Sequence, residues 1–192
     1  MKYENWIFDF DGTLIDENVY VRMYPEILKA LYEELSKEEV DKHIETLPRN
    51  KFGNVDSYDL CLKLQKLDLY YDILPGYITE SVFKKGVKSL LKSLKSNESK
   101  VIVATNSHRK TVELFLAFND IINYVNVIWA FEDTNFEKDH QEYWTQLSRA
   151  IGAKPEESLL VSDSMIEILK ARSAGFYAKH LGTDIMSLEE LQ

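Results

Sequence analysis

An apolar run near the N-terminus ends in two aspartates, a glycine and a threonine, and it constrains the fold more than any other stretch. It reads Trp6-Ile7-Phe8-Asp9-Phe10-Asp11-Gly12-Thr13. A short, continuous apolar run predicts a buried strand, here over residues 7–10, and glycine permits a sharp turn directly after it. Such a strand delivers both carboxylates to the edge of a sheet. Because Asp and Gly also favour turns for local reasons, the motif alone is equally compatible with an ordinary acidic turn.

Helical and strand patterns alternate along the chain from Phe83 onward. Short apolar strands that alternate with helices predict an α/β fold: a doubly wound, Rossmann-like parallel sheet, which the first strand joins. The predicted strands cover residues 100–104, 125–130, 158–161 and 176–178, and the predicted helices cover residues 86–94, 110–118, 139–151 and 164–174.

The stretch between these two parts has helical patterns only. Helices are predicted over residues 17–35, 36–46 and 56–69, and a loop over residues 48–54. Nothing strand-like appears there. We therefore predict a core formed by residues 1–16 and 80–192, with a small all-helical insertion at residues 17–79, directly after the first strand.

The composition narrows the class of partner. A net charge of −9, with no long cluster of Lys and Arg, argues against a nucleic acid partner. No apolar run reaches membrane-spanning length and no signal region opens the chain, so we predict a cytoplasmic protein with no membrane partner. The lone Cys61 offers no disulfide framework, which is consistent with a reducing compartment. An acidic protein that handles an anion needs a bound cation to offset the repulsion.

Polar side chains follow four of the predicted strands. Ligands of open parallel sheets bind at the carboxyl ends of the strands, so these positions indicate a site. The first strand ends in Asp9 and Asp11, the second in Thr105-Asn106-Ser107, the third leads into a polar loop that reaches Lys138, and the fourth ends in Ser162-Asp163-Ser164, with Glu167 four residues after Asp163.

The chain resembles the haloacid dehalogenase superfamily, phosphatase type. Four motifs carry the resemblance, in this order: Asp9 to Thr13, then Thr105, then Lys138, then Asp163 with the acid that follows it. The resemblance covers nearly the whole chain and implies that residues 17–79 form a mobile cap. Receiver domains of two-component systems use similar residues around magnesium. Their lysine comes last, however, whereas Lys138 here precedes Asp163.

The resemblance implies a Mg²⁺-dependent phosphomonoester hydrolase that acts on a small phosphorylated metabolite through an aspartyl-phosphate. Asp9 is the implied nucleophile, and Asp11 protonates the leaving group and then accepts a proton from water. Asp9, the backbone carbonyl of Asp11 and Asp163 would hold the Mg²⁺. Family members that cleave carbon–halogen bonds lack an aspartate at the position of Asp11, which favours phosphate esters here.

The resemblance also assigns the phosphate contacts. Thr105 and the backbone N–H of Asn106 would bind phosphate oxygens, and Lys138 would neutralise the developing charge. Two alternatives stay open from the residues themselves: Thr105-Asn106-Ser107 could simply cap the next helix, and Lys138 could be an exposed charge. The chain also departs from the family pattern, because Asp139-His140-Gln141 replaces the prolines that commonly follow the lysine, and Ser162 replaces a glycine.

Three assignments are less closely defined. Glu167 either supports the metal, directly or through a water, or completes a capping box with Ser164. Arg49, in the loop of residues 49–53, is the candidate substrate-binding residue of the cap. His108 and Arg109 either face a substrate or lie on the surface.

Two other functions are compatible with the same residues. A phosphomutase would use the same aspartates but return the phosphoryl group to a sugar. A regulatory protein would keep the fold and bind a phosphorylated ligand without turnover. The substrate and the oligomeric state stay open, because loop composition does not determine either.

Overall fold

The computed structural model describes residues 3–192 apart from the side chain of Asn119, so residues 1 and 2 of the predicted core lie outside it. The strands are β1 (Asn5–Phe8), β2 (Lys100–Ala104), β3 (Val127–Trp129), β4 (Ser158–Ser162) and β5 (Tyr177–His180). The α-helices are α1 (Asn18–Glu34), α2 (Lys37–Thr46), α3 (Ser57–Lys63), α4 (Leu67–Ile73), α5 (Val87–Ser96), α6 (Arg109–Ala117), α7 (Gln141–Ile151) and α8 (Met165–Ser173).

Within the described residues, the five strands form one parallel sheet in the order β3-β2-β1-β4-β5. This confirms the predicted doubly wound α/β fold. Strand β1 lies at the centre, where Asn5 is opposite Lys100 of β2 and Ser158 of β4. All four residues of β1 are buried, as expected of a strand whose sheet carries apolar contacts on both faces.

One face of the sheet packs against the helices that follow β3 and β4. Ile7, Ile102 and Leu160 lie in a buried cluster with Trp144 of α7 and Ile168 of α8. These strand residues are neighbours in register, so their side chains form one layer across the sheet. The packing fixes α7 and α8 beside the strands whose ends carry the polar motifs.

The strand nearest the N-terminus is shifted relative to the prediction. It ends at Phe8 rather than at residue 10, so Asp9 and the residues after it belong to the following loop. The Asp9 N–H still donates to the Val161 carbonyl of β4, at 3.0 Å, which keeps Asp9 at the edge of the sheet. Strand β3 is also shorter than the predicted 125–130.

The chain divides into two compact units, Met1–Asp16 with Glu80–Gln192, and Glu17–Thr79. The second unit contains α1 to α4. Among residues 3–192, no helix combines the length and apolar character needed to cross a membrane.

The predicted third helix over residues 56–69 is wrong, because two helices, α3 and α4, cover that stretch. Gln65 takes a left-handed backbone conformation, with φ of 57°. The Lys66 N–H donates to the Cys61 carbonyl at 2.7 Å, and the Gln65 N–H to the Leu62 carbonyl at 3.0 Å, a pattern that ends a helix. Apolar residues recur at helical spacing across the break, so the pattern did not reveal it.

Candidate active site

The carboxyl ends of β1, β2 and β4 lie side by side, and the loop before α7 adds a lysine to them. Lys138 is only 3% exposed, so it is not the exposed charge that the sequence left open. Its Nζ contacts Asp9 Oδ1 and lies 3.0 Å from Glu167 Oε1. The structure thus brings together Asp9, Lys138 and Glu167 from three separate parts of the sequence.

Burial and charge act in opposite directions on this ion pair. Burial raises the pKa of Asp9 well above its usual range, and the charge of Lys138 opposes that rise. Burial alone would lower the pKa of Lys138, but the carboxylates of Asp9 and Glu167 raise it above its usual range. Both carboxylates therefore favour the charged form of the lysine beside Asp9.

Glu167 links the start of α8 to Lys138. Its backbone N–H donates to Ser164 Oγ at 3.5 Å, which is half of a capping box. Its carboxylate, however, pairs with Lys138 through Oε1 and accepts a hydrogen bond from Ser162 Oγ through Oε2, at 2.8 Å. Ser162, which replaces the family's glycine, therefore takes part in the site through its hydroxyl.

Thr13 joins the other oxygen of Asp9 to Asp163. Its Oγ1 lies 3.2 Å from both Asp9 Oδ2 and Asp163 Oδ1, and it accepts a hydrogen bond from the Asp163 N–H at 3.0 Å. Gly12 makes room for this arrangement. It has φ of 78°, and a Cβ atom there would lie 2.2 Å from Asp163 Oδ2. Any other residue here would strain the backbone, and its Cβ would displace the Asp163 carboxylate.

Asp11 lies close enough to Asp9 for its charge to raise the pKa of Asp9 further. Its carboxylate accepts a short hydrogen bond from Ser107 Oγ, 2.6 Å from Asp11 Oδ2. A hydroxyl donor on one oxygen restrains the orientation of the carboxylate. Ser107 thus belongs to the site, although the sequence indicated it only as a polar residue after the second strand or as part of a helix cap.

Thr105 and Asn106 hold the loops of the site rather than capping a helix. Helix α6 has His108 as its N-cap, without a side-chain cap, so the capping alternative is wrong. Thr105 Oγ1 accepts from the Ser107 N–H at 2.9 Å. Asn106 Oδ1 accepts from the Lys138 N–H at 3.2 Å.

Trp144 of α7 holds the same lysine from the other side. Its indole N–H donates to the Lys138 carbonyl at 2.9 Å, and its ring is fully buried. The Lys138 backbone is therefore fixed through both its N–H and its carbonyl. These hydrogen bonds hold the segment in which the prolines of the family pattern are missing. No local sequence signal predicted them.

His108 and Arg109 are paired with the loop after β3. His108 Nδ1 lies 2.9 Å from Glu132 Oε1, and Arg109 forms an ion pair with Asp133. The backbone N–H groups of Glu132 and Arg109, with the His108 ring, outweigh the effect of partial burial and lower the pKa of Glu132. Both basic side chains thus join the start of α6 to the segment that follows β3.

Arg49 lies in the helical unit, where its Nη1 donates to the Gly53 carbonyl at 2.7 Å. Asn50 closes the same loop, because its Oδ1 accepts from the N–H groups of Phe52 and Asn54. Phe52 is exposed at the tip. The structure makes this loop a tight turn held by its own polar groups.

The donor set suits a small, hard cation. Across residues 3–192 no cluster of three or more His, Cys, Asp and Glu side chains is arranged to hold a metal ion. The candidate protein ligands are therefore the carboxylates of Asp9 and Asp163, which both lie within 3.2 Å of Thr13 Oγ1. Mg²⁺ takes oxygen ligands and keeps several waters, so two carboxylates and a backbone carbonyl are sufficient for it. The site also has more acidic than basic side chains, because it combines Asp9, Asp11, Asp163 and Glu167 with Lys138.

The sequence resembles a known protein family over most of its length. The model of the haloacid dehalogenase-like hydrolase family matches residues 6–178. The chain is 27% identical to the pyrophosphatase PpaX of Bacillus cereus over 182 residues, which cover 91% of this chain and 81% of that protein.

Solved structures show the same fold. CbbY from Rhodobacter sphaeroides in complex with phosphate superposes with a TM-score of 0.70 at 21% identity, over 98% of this chain and 96% of that one. The magnesium-bound putative hydrolase YfnB from Bacillus subtilis gives a TM-score of 0.70 at 18% identity, over 100% and 97% of the two chains. With the family model matched over most of its length, the chain belongs to the haloacid dehalogenase-like hydrolases.

Proposed function

We propose that this protein is a Mg²⁺-dependent phosphomonoester hydrolase that acts on a small phosphorylated metabolite through an aspartyl-phosphate. One observation carries the proposal. Asp9 is buried, with Lys138 on one carboxylate oxygen and Thr13 near the other, and Asp11 lies beside it in contact with Ser107. A nucleophile, a cation and an acid–base group are the parts that phosphoryl transfer needs.

The first step forms the covalent intermediate. A carboxylate oxygen of Asp9 attacks the phosphorus, the bond to the ester oxygen breaks, and Asp11 gives that oxygen its proton. Lys138 stays protonated and offsets the charge on the phosphoryl oxygens. In our proposal Thr105 and the Asn106 N–H contact these oxygens too.

The second step releases phosphate. Asp11, now a carboxylate, accepts a proton from a water that attacks the phosphorus of the aspartyl-phosphate. The bond between Asp9 and phosphorus breaks, and the free carboxylate returns. The hydrogen bond from Ser107 keeps Asp11 in one orientation through both proton transfers.

A bound Mg²⁺ would supply charge neutralisation at the transferring group and lower the pKa of Asp9. We assign its protein ligands to Asp9, the backbone carbonyl of Asp11 and Asp163. Glu167 is engaged by Lys138 and Ser162, so we place it outside this ligand set.

Pyrophosphate is a second candidate substrate. The curated relatives that share 25–27% identity with this chain over 91% of its length are named pyrophosphatases. A phosphoanhydride undergoes the same attack by Asp9, but its leaving phosphate needs less help from a proton donor. Loss of Asp11 should therefore impair ester hydrolysis more than pyrophosphate hydrolysis.

We propose that the helical unit, Glu17–Thr79, acts as a cap that reads the part of the substrate beyond the phosphate. Arg49 and the exposed Phe52 lie on its closed loop. Substitution of Phe52 by alanine should then change the ratio of kcat/KM between two substrates of different size, with p-nitrophenyl phosphate as the reference.

The test is phosphate release from a panel of metabolite phosphates, pyrophosphate and p-nitrophenyl phosphate, with Mg²⁺ or with EDTA. We expect hydrolysis only with Mg²⁺, and a loss of about 10³-fold or more in Asp9→Asn. The matched control is Asp139→Asn, which removes an exposed carboxylate beside Lys138 and should keep the activity. Equal activity in Asp9→Asn would contradict the proposal.

The same panel separates the two rival functions. Isomerised sugar phosphate without free phosphate would indicate a phosphomutase. Saturable binding of phosphate or vanadate without turnover of any substrate would indicate a regulatory protein.

A further inference from the structure

Ser162, the last residue of β4, is fully buried and makes two hydrogen bonds at the site. Its hydroxyl donates to Glu167 Oε2 at 2.8 Å and accepts from the Ser164 N–H at 3.0 Å. Both of its bonding directions are therefore fixed by the residues that open helix α8. A glycine in this place could make neither bond.

Glu167 connects Ser162 to Lys138 through its two carboxylate oxygens. Its Oε1 lies 3.0 Å from Lys138 Nζ, while its Oε2 is held by Ser162. The backbone N–H of Glu167 is also bound, by Ser164 Oγ. A carboxylate with both oxygens engaged and its backbone anchored has one preferred rotamer, so it offers the lysine a fixed partner.

Lys138 needs such a partner. A lysine side chain has four rotatable bonds and, as a compact point charge, no geometric preference that would hold it against Asp9. The loop that carries it lacks the prolines of the family pattern. Its side chain is 4% exposed, and its ammonium group contacts Asp9 and Glu167.

We propose that Ser162 is a positioning residue of this site: its hydroxyl holds Glu167 against Lys138 and thereby sets where Lys138 meets the phosphoryl group. The effect on turnover rests on the proposed function, but the coupling of Ser162 to Lys138 does not. Without the hydroxyl, Glu167 Oε2 loses its donor and the carboxylate is free to turn away from the lysine.

The kinetic test compares Ser162→Ala and Ser162→Gly with Ser158→Ala. Ser158 lies at the other end of β4, is equally buried, and donates to the Lys154 carbonyl at 2.6 Å, so it is a matched control. We expect kcat to fall about 10-fold in both Ser162 variants, as is common for residues that orient a group of the site, and to stay within about twofold in Ser158→Ala.

Two readouts separate positioning from a general loss of stability. The inhibition constant of vanadate, which mimics the transferring phosphoryl group, should rise about as much as kcat falls. Ser162→Thr, which keeps the hydroxyl, should restore both values if its melting temperature shows that the extra methyl group is accommodated. Normal kcat and vanadate inhibition in folded Ser162→Ala would overturn the proposal.

A thermal double-mutant cycle tests the coupling without any substrate. In EDTA, Ser162→Ala should lower the melting temperature by about 2–4 °C. In a Lys138→Met background the same change should have a clearly smaller effect, because the pair that the hydroxyl supports is gone. Ser158→Ala should shift the melting temperature equally in both backgrounds.

The outcomes distinguish the two proposals. An inactive wild-type protein would remove the proposed function, and the cycle would still decide the role of Ser162. An active wild-type protein with an additive cycle, in which Ser162→Ala acts equally with or without Lys138, would overturn the role of Ser162 alone.

Discussion

Gly12 shows how closely a single residue is tied to the chemistry of the site. We predict that Gly12→Ala pushes the Asp163 carboxylate out of place, because the new Cβ would lie 2.2 Å from its Oδ2. The variant should lose most of the proposed Mg²⁺-dependent activity and require more Mg²⁺ for what remains. It should also lose about 1–2 kcal/mol of stability from the left-handed backbone, where φ is 78°. Activity titrated with Mg²⁺, and thermal unfolding, measure the two effects.

The control for this variant is Gly152→Ala. Gly152 also has positive φ, 64°, but nothing lies within 4 Å of a Cβ atom placed there. It should show the stability loss and keep the Mg²⁺ dependence that we propose for the native protein. If both variants lose activity equally, backbone strain and not the displaced Asp163 is responsible.

Cys61 should be chemically inert in the folded protein. It is fully buried, and burial raises the pKa of its thiol to about 12. At pH 8 roughly one thiol in ten thousand would then be the reactive thiolate. We predict no reaction with Ellman's reagent in the native state over an hour, and one equivalent per chain in guanidinium chloride.

A neighbouring position supplies the control for Cys61. Leu62 is 47% exposed, so Leu62→Cys in a Cys61→Ala background should react within minutes under native conditions. Because the pKa of Cys61 is raised, its labelling rate should increase about tenfold per pH unit but stay far below that of the control. Prompt native labelling of Cys61 would contradict its burial.

Carboxylates and Lys138 were easier to predict than the hydroxyl groups around them. Asp9, Asp11 and Asp163 follow apolar runs at strand ends, and the structure places them together at the edge of the sheet. Thr13 and Ser107 contact the same carboxylates, but a side-chain hydrogen bond depends on rotamers and on distant loops. A single sequence carries neither kind of information.

At the scale of elements, α7 supports the lysine-bearing loop through Trp144. We predict that Trp144→Phe costs about 1 kcal/mol beyond the lost volume, because the Lys138 carbonyl loses its donor at 2.9 Å. That loss corresponds to a further drop of about 2–4 °C in melting temperature. Its kcat should also fall severalfold as the loop loosens. Thermal unfolding and steady-state kinetics check both effects.

Trp6 of β1 offers a matched comparison. Its buried indole N–H has no hydrogen-bond partner among residues 3–192, so Trp6→Phe removes volume without removing a bond. It should lose stability through packing alone and keep kcat. A kcat loss of equal size in both variants would mean that Trp144 acts through packing and not through its bond to Lys138.

The elements themselves followed closely from hydrophobic periodicity, with two instructive exceptions. The α/β alternation and the sheet were predicted correctly, because short continuous apolar runs that alternate with helical patterns are typical of buried parallel strands. The break at Gln65 was missed, since a non-glycine residue in the left-handed region has no sequence signature. The end of β1 was misplaced by two residues because Asp9 and Phe10 are as buried as the strand itself.

At the scale of the whole molecule, metal binding should raise the melting temperature. A ligand that binds only the folded state at ten times its Kd stabilises it by about 1.4 kcal/mol, or about 3–6 °C for a chain of this size. We predict a shift of that order with Mg²⁺, absent in Asp163→Asn and kept in Asp139→Asn. Differential scanning fluorimetry with a Mg²⁺ titration measures it, and an unchanged melting temperature in the native protein would exclude this site for Mg²⁺.

The central position of β1 has a consequence for how the chain acquires its structure during synthesis. Asn5 pairs with Lys100 on one side and with Ser158 on the other, so β1, which is synthesised before the other four strands of this sheet, is among the last to find both neighbours. At 5–20 residues per second, about 150 intervening residues take about 8–30 s to appear. During that interval the nascent chain carries the apolar segment Trp6-Ile7-Phe8 without its partners, while the contiguous helices of residues 17–79 can already assemble. The strand that leads into Asp9, the proposed nucleophile, is therefore also open to misassociation and to chaperone binding during this interval.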